Sequence, residues 1–127
     1  MAPLDRPRLE DKIASEFASV VNMTADELSE WLGTETSKSV GWKGPAGAFA
    51  ESVGHASGRR IVAILRKGNG ARTADDYAHM RKVVGFVRRH LAQEPVNPVS
   101  SRWRYSLMNW GHDPLKASGE SAEPGVR

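Results

Sequence analysis

"TADDYAHMRKVVGFVRRHLAQ", residues 73–93, decides the fold. At about 3.6 residues per turn, Tyr77, Met80, Val84, Val87 and Leu91 form one apolar stripe, which Val83 and Phe86 widen on one side. Thr73 is placed to cap the helix. Asp75 and Asp76 fill its first turn, where the helix dipole favours anions. The pattern predicts one long amphipathic helix with a core face and a polar face.

The polar face is ordered as well. Arg81 and Arg88 lie seven apart, and so do Lys82 and Arg89. Between these basic rows runs a row of small residues: Ala78, Gly85 and Ala92. A glycine in a helix interior costs about 1 kcal/mol relative to alanine, so Gly85 needs a reason. Two readings remain open. A second helix could approach closely over the small row, with the arginines lying along it. Alternatively, the row is the floor of a shallow track along which a phosphate backbone is neutralised from both banks. Arginine suits the second task because its planar donors fork onto phosphate.

Upstream, "SGRRIVAILRK" (57–67) reads as a shorter helix with Ile61, Ile64 and Leu65 inward and Arg59, Arg60, Arg66 and Lys67 on its other sides. "GNG" (68–70) ends it with residues that tolerate positive φ, so the two basic helices suggest a hairpin or a loose helix-turn-helix unit. Residues 8–21 place Leu9, Ile13, Phe17 and Val20/Val21 at helical spacing. Thr24 and Glu27 form a capping box for a second helix, with Met23 and Leu28 as its hydrophobic staple. Gly33 is the expected left-handed stop. A last helix near 100–110 carries Trp103, Leu107 and Trp110, closed by Gly111. Residues 34–54 are rich in glycine and hydroxyl residues, with Trp42 and Phe49 as candidate anchors and a turn of helix near "AGAFAES". The expectation is an all-α, compact single domain of about five helices, with a long irregular connection between the second and third. A flexible lead covers 1–7, the helical domain 8–115, and a disordered tail 116–127.

Charge is segregated along the chain. The 127 residues carry a net +3. Residues 1–54 hold 5 Lys and Arg against 9 Asp and Glu, whereas residues 55–105 hold 11 against 3. A basic block behind an acidic segment says more than the total. No stretch approaches the roughly 20 apolar residues of a bilayer span, and the N-terminus has no secretory character. The absence of cysteine excludes disulfides and thiolate metal sites. A cytoplasmic protein with no membrane contact is expected.

Catalytic signals are weak. The chain has no phosphate-binding glycine loop, dinucleotide fingerprint or zinc spacing. His112 beside Asp113, and His55 near Glu51 and Ser52, are nominal clusters without a marked nucleophile. His55 and His112 each follow a glycine and suit capping a helix end or bonding a carbonyl. No catalytic residue, metal or cofactor is expected, and the protein is read as a non-enzyme.

The order "ELSEWL…ESVGHASGRRIVAIL…DDYAHMRKVVGFVRRHLAQEP…SRWRYSLMNWGHDP" resembles the uncharacterised bacterial domain-of-unknown-function family 3140 over roughly residues 15–116. Some members of that family carry a DNA-binding label, so the resemblance implies a nucleic-acid function. It brings no catalytic residues with it.

Together these readings point to a small protein that binds nucleic acid, DNA first, mainly through phosphate contacts. The expected contact residues are Arg59, Arg60, Arg66, Lys67, Arg81, Lys82, Gly85, Arg88 and Arg89. The alternative is a non-enzymatic protein–protein or stress-accessory module using the same face. In that reading the face meets an acidic partner or, in a homo-oligomer, the acidic N-terminal half. "SRWRYS" (101–106) interleaves cations with aromatics that could stack on bases, although Trp103 has the spacing of a core residue.

Overall fold

A computed structural model describes residues 6–41, 51–97 and 101–117. Among them are α1 (Arg6–Val20), α2 (Ala25–Leu32), α3 (Glu35–Ser39), α4 (Val53–Arg66), α5 (Ala74–Leu91), α6 (Arg102–Asn109) and α7 (Pro114–Ala117). A 3₁₀ turn, Asn69–Ala71, links α4 to α5. The described residues contain no strand, and the fold is all-α. No described helix is long and apolar enough to cross a membrane. The expected anchors Trp42 and Phe49, most of the expected turn at 46–52, residues 1–5 of the lead and residues 118–127 of the tail lie outside the described residues.

Local chemistry sets the helix starts. The Thr24 hydroxyl accepts from Glu27 N at 3.1 Å while the Glu27 carboxylate accepts from Thr24 N at 2.9 Å. Thr73 and Asp76 repeat the arrangement at α5, at 3.1 and 2.9 Å. Each box satisfies two amide donors that the helix itself leaves open.

Several boundaries depart from the sequence reading. Gly33 has φ −77 and is right-handed, not left-handed. The chain passes directly into α3, whose cap Thr34 is the next residue, so no reversal is needed. The expected irregular connection therefore begins with a helical turn. α4 starts four residues before position 57, with Ser52 Oγ accepting from His55 N at 3.0 Å. The "GNG" segment folds as the 3₁₀ turn, and left-handed glycines among the described residues are Gly41 and Gly111 only. Leu9, read as a core position, is 37% exposed in the first turn of α1.

α1 packs along α5 and α2 along α4, while α6 touches α2, α3, α4 and α5. The basic helices α4 and α5 are thus each paired chiefly with another helix rather than with each other. The core joins Phe17, Leu28, Ile61, Ile64, Met80, Val83, Val87 and Leu107, all essentially inaccessible. Burial of these side chains supplies the main driving force for the fold.

Close helix approach depends on glycines in α4. A Cβ on Gly58 would lie 2.5 Å from the Asn109 carbonyl and 2.7 Å from Leu32 Cδ2. One on Gly54 would lie 2.9 Å from Trp110 Nε1. Beside this contact, Asn109 Oδ1 accepts from Trp31 Nε1 at 2.7 Å and from Ser37 Oγ at 2.5 Å, and Asn109 Nδ2 donates to Ser37 O at 3.1 Å. One buried amide thus joins α2, α3 and α6.

Candidate nucleic-acid interface

The nine residues expected to contact nucleic acid fall into two groups. The α4 cations face carboxylates. Arg59 forks onto Glu51 at 2.7 and 2.6 Å, and Arg66 reaches Asp26 at 3.2 Å. Lys67 Nζ lies 2.6 Å from Asp76, and Arg60 lies 3.5 Å from it. The Lys67 ammonium, and then the Thr73 amide, hold the Asp76 carboxyl well below its usual range, at about 2. The Arg59 fork brings Glu51 to about 2 in the same way.

On α5, Arg88 lies 3.7 Å from Glu16 of α1, a long and exposed pair. Arg81, Lys82 and Arg89 are exposed and have no acidic partner among the described residues. Of the acidic side chains in α1 and α2, Glu16 and Asp26 each meet one cation of the basic block, and Glu27 pairs with Lys116 at 2.7 Å instead.

Gly85 sits between Lys82 and Arg89, and no described helix covers it. Among the described residues a Cβ there would meet one atom within 4 Å, the Arg89 Nη1 at 3.1 Å. Among the described residues, then, no second helix approaches the small row at Gly85. The close approaches occur at Gly54 and Gly58, where the sequence reading did not place them.

The bank formed by Lys82 and Arg89 borders a cleft of about 410 Å³, lined also by Gly54, Phe86, Ser106 and Trp110. Behind it the rings stack in series. Trp110 lies 4.2 Å from Phe86 with planes 13° apart, and Phe86 lies 4.9 Å from His90. His79 extends the stack beyond Trp110 at 6.3 Å, and Trp103 extends it beyond His90 at 6.5 Å. Burial, then the nearby charges of Arg60 and Lys82, lowers the His79 pKa, and burial lowers that of His90. Both shifts favour the neutral ring. The cleft wall is aromatic and its rim is cationic.

The other motifs are turned inward. Trp103 Nε1 donates to His90 O at 2.6 Å, Arg104 pairs with Asp113 at 3.2 Å, and Tyr105 packs on Trp31 with ring centres 5.6 Å apart. His112 Nδ1 donates to Val20 O at 2.7 Å, so it does not engage Asp113. The Asp113 main chain instead exchanges hydrogen bonds with the Asn22 side chain at 2.8 and 3.0 Å. "NWGHDP" thus clasps the connection between α1 and α2. His55 lies between Glu51, at 2.5 Å, and the Leu32 carbonyl, which accepts from Nε2 at 2.8 Å, while Ser52 is occupied as the α4 cap. Among the described residues no group of three His, Cys, Asp or Glu side chains could hold a metal ion.

The sequence reading missed the cleft. Phe86 was legible as the edge of the α5 stripe, but its neighbours Gly54, Ser106 and Trp110 come from two other helices, and no local pattern links them. No curated protein and no solved structure matches the chain. The model of one family, described as a protein of unknown function (DUF3140), matches residues 16–108, and the chain belongs to that family.

Proposed function

We propose that this protein binds nucleic acid, DNA in the first instance, through the outward face of α5. One observation carries the reading: Arg81, Lys82 and Arg89 surround an uncovered Gly85 and lack acidic partners among the described residues, whereas the α4 cations are engaged. A phosphate backbone can approach an uncovered glycine closely, and unpaired guanidinium and ammonium groups neutralise it without first leaving a carboxylate. Contacts to phosphate position a strand without reading its sequence. The basic α4 residues contribute secondarily, because their carboxylates must be displaced first.

The salt dependence tests this division. If three cations each neutralise one phosphate of a duplex, the log–log slope of affinity against salt is about −3. Engagement of all eight basic residues of the two helices would give about −7. Anisotropy titrations of labelled duplex and single strand between about 50 and 200 mM salt measure it. Replacing Arg81, Lys82 and Arg89 by Gln should remove most of the affinity, while Arg59→Gln with Arg66→Gln should change it little. No binding of either probe at about 50 mM salt, where phosphate contacts are strongest, refutes the proposal.

A further inference from the structure

The cleft beside Phe86 has no part in simple phosphate neutralisation, and its chemistry is selective. We infer that it takes one unpaired base of a single strand whose phosphates lie on Lys82 and Arg89. The inference rests on the nucleic-acid reading above and adds the substrate form: a single strand in preference to duplex.

Three features support it. The first is size and lining. At about 410 Å³, with Phe86 and Trp110 as its wall, the cleft has the size and the aromatic lining of small-molecule sites, which add a few placed polar groups. The second is polarity. The charged groups on its rim, Lys82 and Arg89, are donors only, and the Trp110 indole N–H lies on the Gly54 side without an acceptor among the described residues. Such a rim suits a ligand with an anionic end and carbonyl acceptors, as in a nucleotide. A cationic or purely aliphatic occupant would leave these donors unanswered. The third is the state of the rings. Phe86 and Trp110 stack on each other, so the cleft meets ring edges, which carry positive partial charge and favour the electron-rich face of another ring.

Duplex DNA cannot use this site without disruption. Its bases are stacked and paired, and the cleft is a recess beside the helix face, so a base must leave the stack to enter. A single strand presents bases already free, and base–aromatic contact adds to a phosphate track.

The test compares three probes of equal length, about 12 nucleotides: oligo-thymidylate, the same sugar-phosphate chain without bases, and a duplex. The protein is the full chain at about 50 mM salt. With an edge-to-face contact to one base, the thymidylate strand should bind up to roughly tenfold more tightly than the abasic chain, and more tightly than the duplex. Ser106→Trp, which fills the cleft and leaves every cation in place, should bring the thymidylate strand down to the abasic level, with a melting curve checking that the variant is folded. Equal binding of the wild-type protein to thymidylate and abasic chains would overturn the inference while leaving the basic-face proposal standing. Tighter binding of duplex than of strand would do the same. Binding of none of the three would overturn both.

Discussion

Two glycines in neighbouring helices should respond in opposite directions to the same substitution. Gly85→Ala adds a methyl group where, among the described residues, a single atom lies within 4 Å, the Arg89 Nη1 at 3.1 Å. That atom is the far end of a flexible side chain and can swing away. What remains is helix propensity and the lower entropy of the unfolded chain, together worth about 0.5–1 kcal/mol in favour of alanine. The melting temperature should rise by roughly 2–6 °C. Gly58→Ala gains the same propensity but places its methyl 2.5 Å from the Asn109 carbonyl and 2.7 and 3.1 Å from the Leu32 methyls. The carbonyl belongs to the end of α6, and Leu32 is 6% exposed, so neither yields easily. Overpacking costs about 1–3 kcal/mol and outweighs the propensity gain, leaving a net loss of about 1–2 kcal/mol. Urea denaturation followed by far-ultraviolet circular dichroism measures both changes. A loss of stability in Gly85→Ala would show that the outward side of α5 is covered, and a gain in Gly58→Ala would show that α4 does not meet α6 through that glycine. Gly85→Leu extends the test to function: it should preserve stability but obstruct the track, weakening nucleic-acid binding.

Asp76 and Glu51, both held at about 2 against ordinary values of 3.8 and 4.5, make the fold acid-sensitive. Because the folded values are depressed, their contribution is complete above about pH 5 and is lost as pH falls through 4 towards 2. Asp76→Asn should cost about 2 kcal/mol at pH 7 and flatten this acid limb, as seen in denaturation at a series of pH values; an unchanged limb would disprove the role of Asp76. Asn109→Leu keeps approximate volume but removes the partner of Trp31 Nε1 and Ser37 Oγ, so it should cost about 2–3 kcal/mol. Thermal melts check this, and a neutral effect would mean that these donors find other acceptors.

Much of the helical framework is local and therefore legible. The Thr24 and Thr73 boxes, the α5 stripe and the Gly111 stop each follow from residues within one or two turns of one another. The errors share a physical cause. Gly54 disguised the first turn of α4, because a glycine depresses helix propensity whatever it packs against, and the partners Trp110 and Asn109 lie far away in sequence. α3 was hidden because "ETSKS" has no apolar stripe; it is held by the Thr34 cap and by the bonds between Ser37 and Asn109. On the candidate interface, charge and helical phase placed the cations on the two helices that carry them, with Lys67 at the cap of α4. Spacing could not tell that Arg66 would meet Asp26 or that Lys67 would meet Asp76, since those pairings depend on how α2, α4 and α5 are arranged.

That separation of engaged from unengaged residues strengthens the case for α5. Of the described glycines inside helices, Gly54 and Gly58 are accounted for by close approach, whereas Gly85 costs propensity and gains no packing. Of the cations expected to act, Arg59, Arg60, Arg66 and Lys67 are accounted for by carboxylates, whereas Arg81, Lys82 and Arg89 gain no ion pair among the described residues. Glycine packing and cation pairing are independent tests, one steric and one electrostatic, yet both leave residues unexplained on the same face of the same helix. Sequences fitted to a fold satisfy local propensity, packing and charge together, and they depart from that consistency where a site must remain open for something else. Lys82 and Arg89 also lie at the rim of the aromatic cleft, so the positive charge is concentrated where a polyanion could bring both its phosphates and a ring.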